Sequence, residues 1–367
     1  MPANGTEIES ELTGWTIAWL RERLPSTWVV DLSARIDAAQ AAGPDAVIEI
    51  RAPNVYATVA VQAKRSLAPR DVDRLLGGVA RTLRALTPIP ILVVAPWISS
   101  RTRELLTAEG LNYLDQTGNA SIRLENPALV IETHGSSRDP APAPRAKARV
   151  RGPKAARLIR TLIDVRPPYG VRELADAAGL APGYVSRLLD ALDDDALVTR
   201  SRRARVEEVD VRGLLRHWAE SYDVFKANAV ATFIAPRRPP EALAALAGAG
   251  SGRTAVTGSF AAVRFAAVAA PALLAVYCED AGALAGELDL LPADHGANVA
   301  LLSPFDAVVW TRTEEQDGVR YVAPSQAAVD CLTGTGRMPA EGEALVEWML
   351  ENEQAWRDEA LAASRTR

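Results

Sequence analysis

The sequence predicts a mixed α/β (α+β) fold in three domains. Strand and helix patterns alternate over the first third, a helix-turn-helix pattern with an arginine-rich hairpin fills 171–206, and strands and helices alternate again from 223. A chain of 367 residues is long enough for two or three domains, each with its own core. The expected divisions are 1–135, a linker at 136–153, 154–222 and 223–367.

In the first domain Glu9–Leu24 has a helical pattern broken by Pro25, and Trp28–Asp31, Ala46–Arg51 and Thr58–Ala63 read as strands. Pro69–Leu86 has helical periodicity through Val72, Leu75, Leu76, Val79 and Leu83. Ile89–Ala95 reads as a buried strand and Ser99–Glu109 as a helix. Leu111–Asn119 reads as a polar turn, and Ala120–Leu124 and Leu129–Glu132 as closing strands.

Within this domain Asp45 heads one strand and Gln62-Ala63-Lys64 ends the next. A hairpin brings the acid and the polar-x-Lys together, and strand alternation puts Gln62 and Lys64 on one face. The arrangement resembles the PD-(D/E)xK nuclease fold. That resemblance implies a catalytic site at Asp45, Gln62 and Lys64, with Mg²⁺ as cofactor if the site is active and no cofactor otherwise. Gln62 stands where the resemblance calls for a second metal-binding carboxylate, and a neutral amide is a poorer ligand for a hard cation. The expectation is a degenerate, inactive nuclease-like domain. Lys64 as a plain exposed lysine beside Arg65 stays an alternative.

The linker reads GSSRDPAPAPRAKARVRG, and its Ala-Pro alternation sustains neither helix nor central strand. Arg145, Lys147, Arg149 and Arg151 alternate along it, spaced to follow a phosphate backbone, to enter a minor groove or simply to solvate a tether. Lys154–Val165 is a helix ended by Pro167-Pro168. Leu174, Ala175 and Ala178 give a short helix one buried face, Gly179 ends it, and Pro182 opens a second helix with a Val185, Leu188, Leu189, Leu192 stripe. Gly183, Tyr184, Ser186, Arg187 and Asp190 face outward. The following LVTRSRRARV makes a hairpin with Arg200, Arg202, Arg203 and Arg205 around its tip.

Turn, stripe and basic hairpin in this order resemble the winged helix of many bacterial transcription regulators. A helix with small, hydroxylic and cationic outward residues suits the major groove. The expected DNA contacts are Arg172, Gly183, Tyr184, Ser186, Arg187, Arg200, Arg202, Arg203 and Arg205, with Lys147, Arg149, Arg151 and Lys154 preceding them. The alternative is a helical hairpin with a solvated arginine loop. Val211–Tyr222 reads as a helix packing outward, as a connector or dimer element.

In the last domain the expected strands are Asn228–Ile234, Thr254–Thr257, Leu273–Cys278, Val299–Ser303 and Ala307–Trp310. The expected helices are Pro240–Ala249, Ser259–Val268, Ala281–Glu287, Ser325–Leu332 and Glu341–Ala363. TGSFAA (Thr257–Ala262), the strand carrying Tyr277, GANVALLSPFDAVVW (Gly296–Trp310) and VAPSQAAVDCL (Val322–Leu332) resemble the AbiEi-type antitoxin family. The resemblance covers about 154–350. It implies a transcriptional repressor with a winged helix and a docking or dimerisation domain, through which a protein partner could bind. Gly258-Ser259 at a strand-helix turn also fits a nucleotidyltransferase. Glu279 and Asp280 are adjacent, however, so they point to opposite faces and make no paired metal site, and Asp306 stands alone.

The net charge is −5, yet Arg138–Arg205 holds fifteen Lys or Arg against eight Asp or Glu, a local +7 that leaves −12 elsewhere. A basic middle between acidic flanks fits a DNA-reading module. Cys278 and Cys331 make no disulfide framework, and His134, His217 and His295 have no ligand spacing. No apolar run reaches the roughly 18–20 residues of a membrane span, and MPANGTEIES is polar, so a cytoplasmic, nucleoid-associated protein is expected. The expected function is sequence-specific binding of double-stranded DNA as a homodimeric regulator. The alternative is a Mg²⁺-dependent nuclease delivered by the winged helix.

Overall fold

The computed structural model describes residues 5–33, 43–53, 55–77, 89–141, 151–250 and 252–361. They form mixed sheets with helices, an α+β arrangement, in two compact units: Met1–Ala146 with Asp194–Ala196, and Lys147–Asp193 with Leu197–Arg367. Lys147, Arg149 and the second half of the helix expected at Pro69–Leu86 lie outside the described residues.

Period-two alternation builds the first unit. Its elements are α1 (Gly5–Arg23), β1 (Val29–Leu32), β2 (Ala46–Ala52), β3 (Val55–Ala63), α2 (Asp71–Leu75), β4 (Ile91–Ala95), α3 (Ser100–Ala108), β5 (Asn112–Asp115), β6 (Ala120–Leu124) and β7 (Leu129–Thr133). The seven strands lie in sequence order, with β3–β4 and β4–β5 parallel and the other pairs antiparallel. Val61, Ala63, Leu92 and Val94 point to one face, where Leu12, Trp19 and Leu20 of α1 cover them. Ala60, Ile91, Val93 and Ala95 point to the other, under Val72 and Leu75 of α2 and Leu106 of α3. Each parallel strand is therefore buried on both sides, as such strands must be.

One expectation fails here. Leu111–Asn119 is not all turn, because Asn112–Asp115 is a strand paired in parallel with β4. Asp115 is fully buried and accepts from the Ile98, Thr117 and Asn119 amides, the Thr117 hydroxyl and the Asn119 side chain at 2.7–3.1 Å. Its polarity marks a saturated internal knot.

The second unit begins with α4 (Pro153–Asp164), α5 (Val171–Ala178), α6 (Pro182–Asp194), the hairpin β8 (Val198–Arg200) and β9 (Val206–Val209), and α7 (Val211–Ala219). Then come α8 (Val224–Ala227), β10 (Ala229–Ile234), α9 (Pro239–Ala245), β11 (Thr254–Thr257), α10 (Ser259–Ala262), β12 (Leu274–Cys278), α11 (Ala281–Glu287), β13 (Leu291–Pro292) and β14 (Val299–Ser303). The chain closes with β15 (Glu314–Gln316), β16 (Val319–Tyr321), α12 (Pro324–Leu332), α13 (Met338–Glu351) and α14 (Glu353–Trp356). The larger sheet has the order β13-β10-β14-β12-β11-β16-β15. Its short outer strands were not expected. Ala307–Trp310, expected as a strand, is a 3₁₀ turn capped by Asp306, whose carboxylate accepts from the Val308 amide at 2.9 Å. Gly258 turns the chain from β11 into α10 at φ 64° and ψ −147°, a conformation that is essentially restricted to glycine. The helix it opens stops at Ala262, well short of the expected Val268.

The segments expected as separate domains at 154–222 and 223–367 share one continuous hydrophobic core. The helix α7 does not pack outward: Leu214, Leu215 and Trp218 are buried, and it lies against α4 and α12. At the centre is α12, buried on all sides from Pro324 to Cys331, with α4, α7, α8, α10 and α13 around it.

A helix buried all round carries its polar side chains inside, and these form a chain of hydrogen bonds. Asp330 is fully buried and accepts from Tyr222 (2.8 Å), Gln326 (2.8 Å), Thr257 (2.6 Å) and Tyr277 (3.0 Å). The Gln326 carbonyl accepts from Arg160 of α4 at 2.9 Å. Arg160 also grips Asp164 at 3.0 and 3.2 Å, and the Ser325 hydroxyl donates to the same carboxylate. From the far end of the chain, Arg357 donates to the Leu162, Ile163 and Val165 carbonyls at 2.8–3.2 Å, closing the C-terminus of α4.

Burial raises the Asp330 pKa to about 6 from 3.8, against the lowering by its four donors. Between those values the folded state binds more protons than the unfolded state, so stability falls as pH rises and the loss is complete above about 6. Asp330→Asn removes this titration. The difference in unfolding free energy between wild type and variant should therefore change by on the order of 2–3 kcal/mol from pH about 4 to about 7. Urea denaturation across that range measures it, and a flat difference would show that Asp330 does not titrate there.

Candidate nucleic-acid interface

The helices and hairpin between Val171 and Val209 form as their residues dictate. Gly170 donates its amide to Glu173 at 2.6 Å at the start of α5. Gly179 ends the helix at φ 63°, and the Leu180 amide returns to the Ala175 carbonyl at 2.8 Å, a left-handed stop that glycine takes without strain. Pro182 is the first residue of α6, where its missing N–H costs nothing. Val185, Leu188, Leu189, Ala191 and Leu192 are buried. Gly183, Arg187 and Asp190 are exposed, while Tyr184 and Ser186 are half-buried. Burial raises the Tyr184 pKa, offset in part by the nearby Arg187 guanidinium.

The wing is a three-residue loop. The Ala204 amide bonds the Ser201 carbonyl and the Ser201 amide bonds the Arg205 carbonyl, both at 2.9 Å, with Ala204 at φ 60°. A turn followed by a left-handed residue closes hairpins of this length. Tyr169 exchanges backbone hydrogen bonds with Val206 and so adds a third short partner to the wing.

The expected cations fall into two groups. Arg200 is 14% exposed and pairs with Asp190 of α6 at 2.5 Å, and Arg205 donates to the Pro168 carbonyl at 3.1 Å and meets Glu173 at 3.5 Å. These two fasten the wing to both helices. Arg172, Arg187, Arg202, Arg203, Arg151 and Lys154 are exposed, with no ion pair among the described residues. Two further arginines of the basic stretch are also engaged: Arg160 internally, and Arg157 bidentate on Asp306 at 2.8–3.1 Å. Asp306 is thus engaged by an arginine, and the ion pair holds the Arg157 pKa up.

In the first unit the structure brings Asp45, Gln62 and Lys64 together. The Asp45 amide bonds the Val61 carbonyl at 3.0 Å, which sets it across from Gln62. One oxygen, Oδ2, takes the Gln62 amide N–H, the Ala63 amide at 2.8 Å and the Lys64 ammonium at 3.5 Å. The Gln62 Oε1 is buried without a partner. This donor set does not fit Mg²⁺, because the single carboxylate already receives three donors and its neighbour presents an N–H to it. Among the described residues, no group of three or more His, Cys, Asp or Glu could hold a metal ion. Glu279 and Asp280 are structural: Glu279 meets Arg253 at 3.1 Å, and Asp280 caps α11 through the Ala283 amide at 2.9 Å. Cys278 and Cys331 are buried free thiols, and burial raises the Cys278 pKa to about 11.

Sequence reasoning missed the polar chain through Asp330, since its members are scattered from Arg160 to Asp330 and each looks ordinary alone. The faint signal was Ser325, Gln326 and Asp330 inside an otherwise apolar helix. No described helix is long and apolar enough to cross a membrane. No family model, curated protein or solved structure matches the chain.

Gln62→Glu tests the Asp45 cluster. The introduced carboxylate would face Asp45 from a position only 3% exposed, so the variant should lose about 1–3 kcal/mol without metal and regain stability with millimolar Mg²⁺. Thermal unfolding with and without Mg²⁺ reads both. A variant as stable as wild type and indifferent to Mg²⁺ would mean that the two carboxylates do not converge.

Proposed function

We propose that the protein is a sequence-specific regulator of transcription, a repressor that binds double-stranded DNA as a homodimer on the nucleoid. The observation that carries this reading is the sorting of arginines. Arg200 and Arg205 are engaged in holding the wing against α5 and α6, while Arg187 on α6 and Arg202 and Arg203 at the wing tip stand free. A cation held in an ion pair contributes little to phosphate binding, whereas a free cation on a rigid element contributes fully. Gly183, Tyr184, Ser186 and Arg187 contact base edges in the major groove; Arg202, Arg203, Arg172, Arg151 and Lys154 contact phosphate or the minor groove. On the resemblance to AbiEi-type antitoxins, the sheet from β10 onward serves as a docking surface for a second copy or a protein partner.

A second reading, DNA cleavage at Asp45, Gln62 and Lys64, has their convergence in its favour and the donor set against it. Selection of bound fragments from random duplex DNA separates the readings: intact fragments enriched in a palindrome support the regulator, and shortened fragments appearing only with Mg²⁺ support the nuclease.

Arg187→Ala should relax preference at one base position of the selected site by about 1–3 kcal/mol. The double change Arg202→Ala, Arg203→Ala should weaken all sequences alike and reduce the magnitude of the slope of log affinity against log salt by about 2. Binding isotherms at four salt concentrations measure both. A uniform loss for Arg187→Ala, or an unchanged slope for the double variant, would refute the assignment.

A further inference from the structure

We propose that the second unit holds a binding site for a small planar aromatic carboxylate, in the cavity between the start of α4 and the end of α7. The cavity has a volume of about 310 Å³. An apolar cavity of roughly half that size suffices for benzene, so one or two fused rings fit. Its walls are the rings of Trp218, Tyr222 and Phe305 together with the small side chains of Ala155 and Ala156.

The aromatic wall is fixed in advance. Trp218 and Tyr222 pack at 5.5 Å and Tyr222 and Phe305 at 5.2 Å between ring centroids. The Tyr222 hydroxyl is held by Asp330 at 2.8 Å, and the Phe305 amide donates to the Asn228 side chain at 2.8 Å. A wall of rings already packed against one another loses little entropy when an aromatic ligand enters.

The charge is supplied at the rim. Arg151 is exposed, lines the cavity and has no ion pair among the described residues, and no Asp or Glu lines it. The positive end of α4 lies at the same rim, beside Gly152 and Pro153. Apolar walls, a cationic mouth and no acid select an aromatic anion over a cation or a sugar. Occupancy would also draw Arg151, a proposed phosphate contact, toward the ligand and away from DNA. That link rests on the DNA-binding reading, and the site itself does not.

The probe is 1-naphthoate, titrated calorimetrically into the full chain, with neutral 1-naphthol as control. Wild type should bind naphthoate with a Kd of about 0.1–1 mM and naphthol about tenfold more weakly. Arg151→Ala should reduce that preference severalfold, and an unchanged preference would overturn the cationic mouth. Ala227→Trp, a bulky change at the exposed rim, should weaken both ligands at least tenfold while leaving the melting temperature of the free protein unchanged. No binding up to several millimolar, or wild-type affinity in Ala227→Trp, would overturn the site.

A second arm adds a duplex that the chain binds. Naphthoate should lower duplex affinity by the same factor by which duplex lowers naphthoate affinity. Binding of both without mutual effect would overturn the link to DNA. A chain that binds naphthoate and no duplex retires the DNA reading and keeps the site.

Discussion

A carboxylate at zero exposure, held by two tyrosines, a threonine and a glutamine rather than by a cation, sets the architecture of the second unit. Burying such a group is costly unless every lone pair is met. The four donors come from the segment after α7, from β11, from β12 and from α12 itself, so Asp330 is satisfied only when all of these pack together. Gln326 passes the connection to Arg160, and Arg160 to Asp164. The helices α4 to α7 and the β8–β9 hairpin are thus built onto the larger sheet through hydrogen bonds that only the assembled unit can make. This explains why the apolar core runs without a break from α4 to α14.

That construction determines which arginines remain free. The basic stretch looks uniform by count, but Arg157 and Arg160 hold α4 against the rest of the unit, and Arg200 and Arg205 set the wing's angle. Among the described residues, the exposed cations of this stretch without an ion pair include Arg151 and Lys154 at the start of α4, Arg172 on α5, Arg187 on α6, and Arg202 and Arg203 at the wing tip. A net charge of −5 is compatible with DNA binding on these terms, because screening leaves the acids beyond about 10 Å with little influence on a local contact.

Local rules made much of this legible. Gly179, Pro182 and the Val185–Leu192 stripe specify their helices by residue chemistry within a few positions, and the structure has them where expected. The juxtaposition of Asp45 and Gln62 followed from pairing the two strands as a hairpin. What escaped depends on distant partners. Asp306 meets Arg157 from 149 positions away, and Arg357 reaches α4 from more than 190. Asn112–Asp115 looked like a turn because its polar residues are those of a turn, yet parallel pairing with β4 overrides that composition. Ala307–Trp310 has the residues of a strand, but Asp306 caps it and the pairing edges lie elsewhere.

Three acids show how the donors around a carboxylate decide its use. Asp115 is saturated by donors from its own turn and by Ile98, so it is a local knot with no capacity left. Asp330 takes four donors from separate elements and acts as a joint. Asp45 is different again, for it has one oxygen crowded by Gln62, Ala63 and Lys64 and is partly exposed. Lys64 neutralises it in the role a cation would otherwise fill, and the Gln62 N–H removes the second negative charge a divalent ion needs. Here the contacts form a clasp between the start of β2 and the end of β3 that holds the two strand ends together.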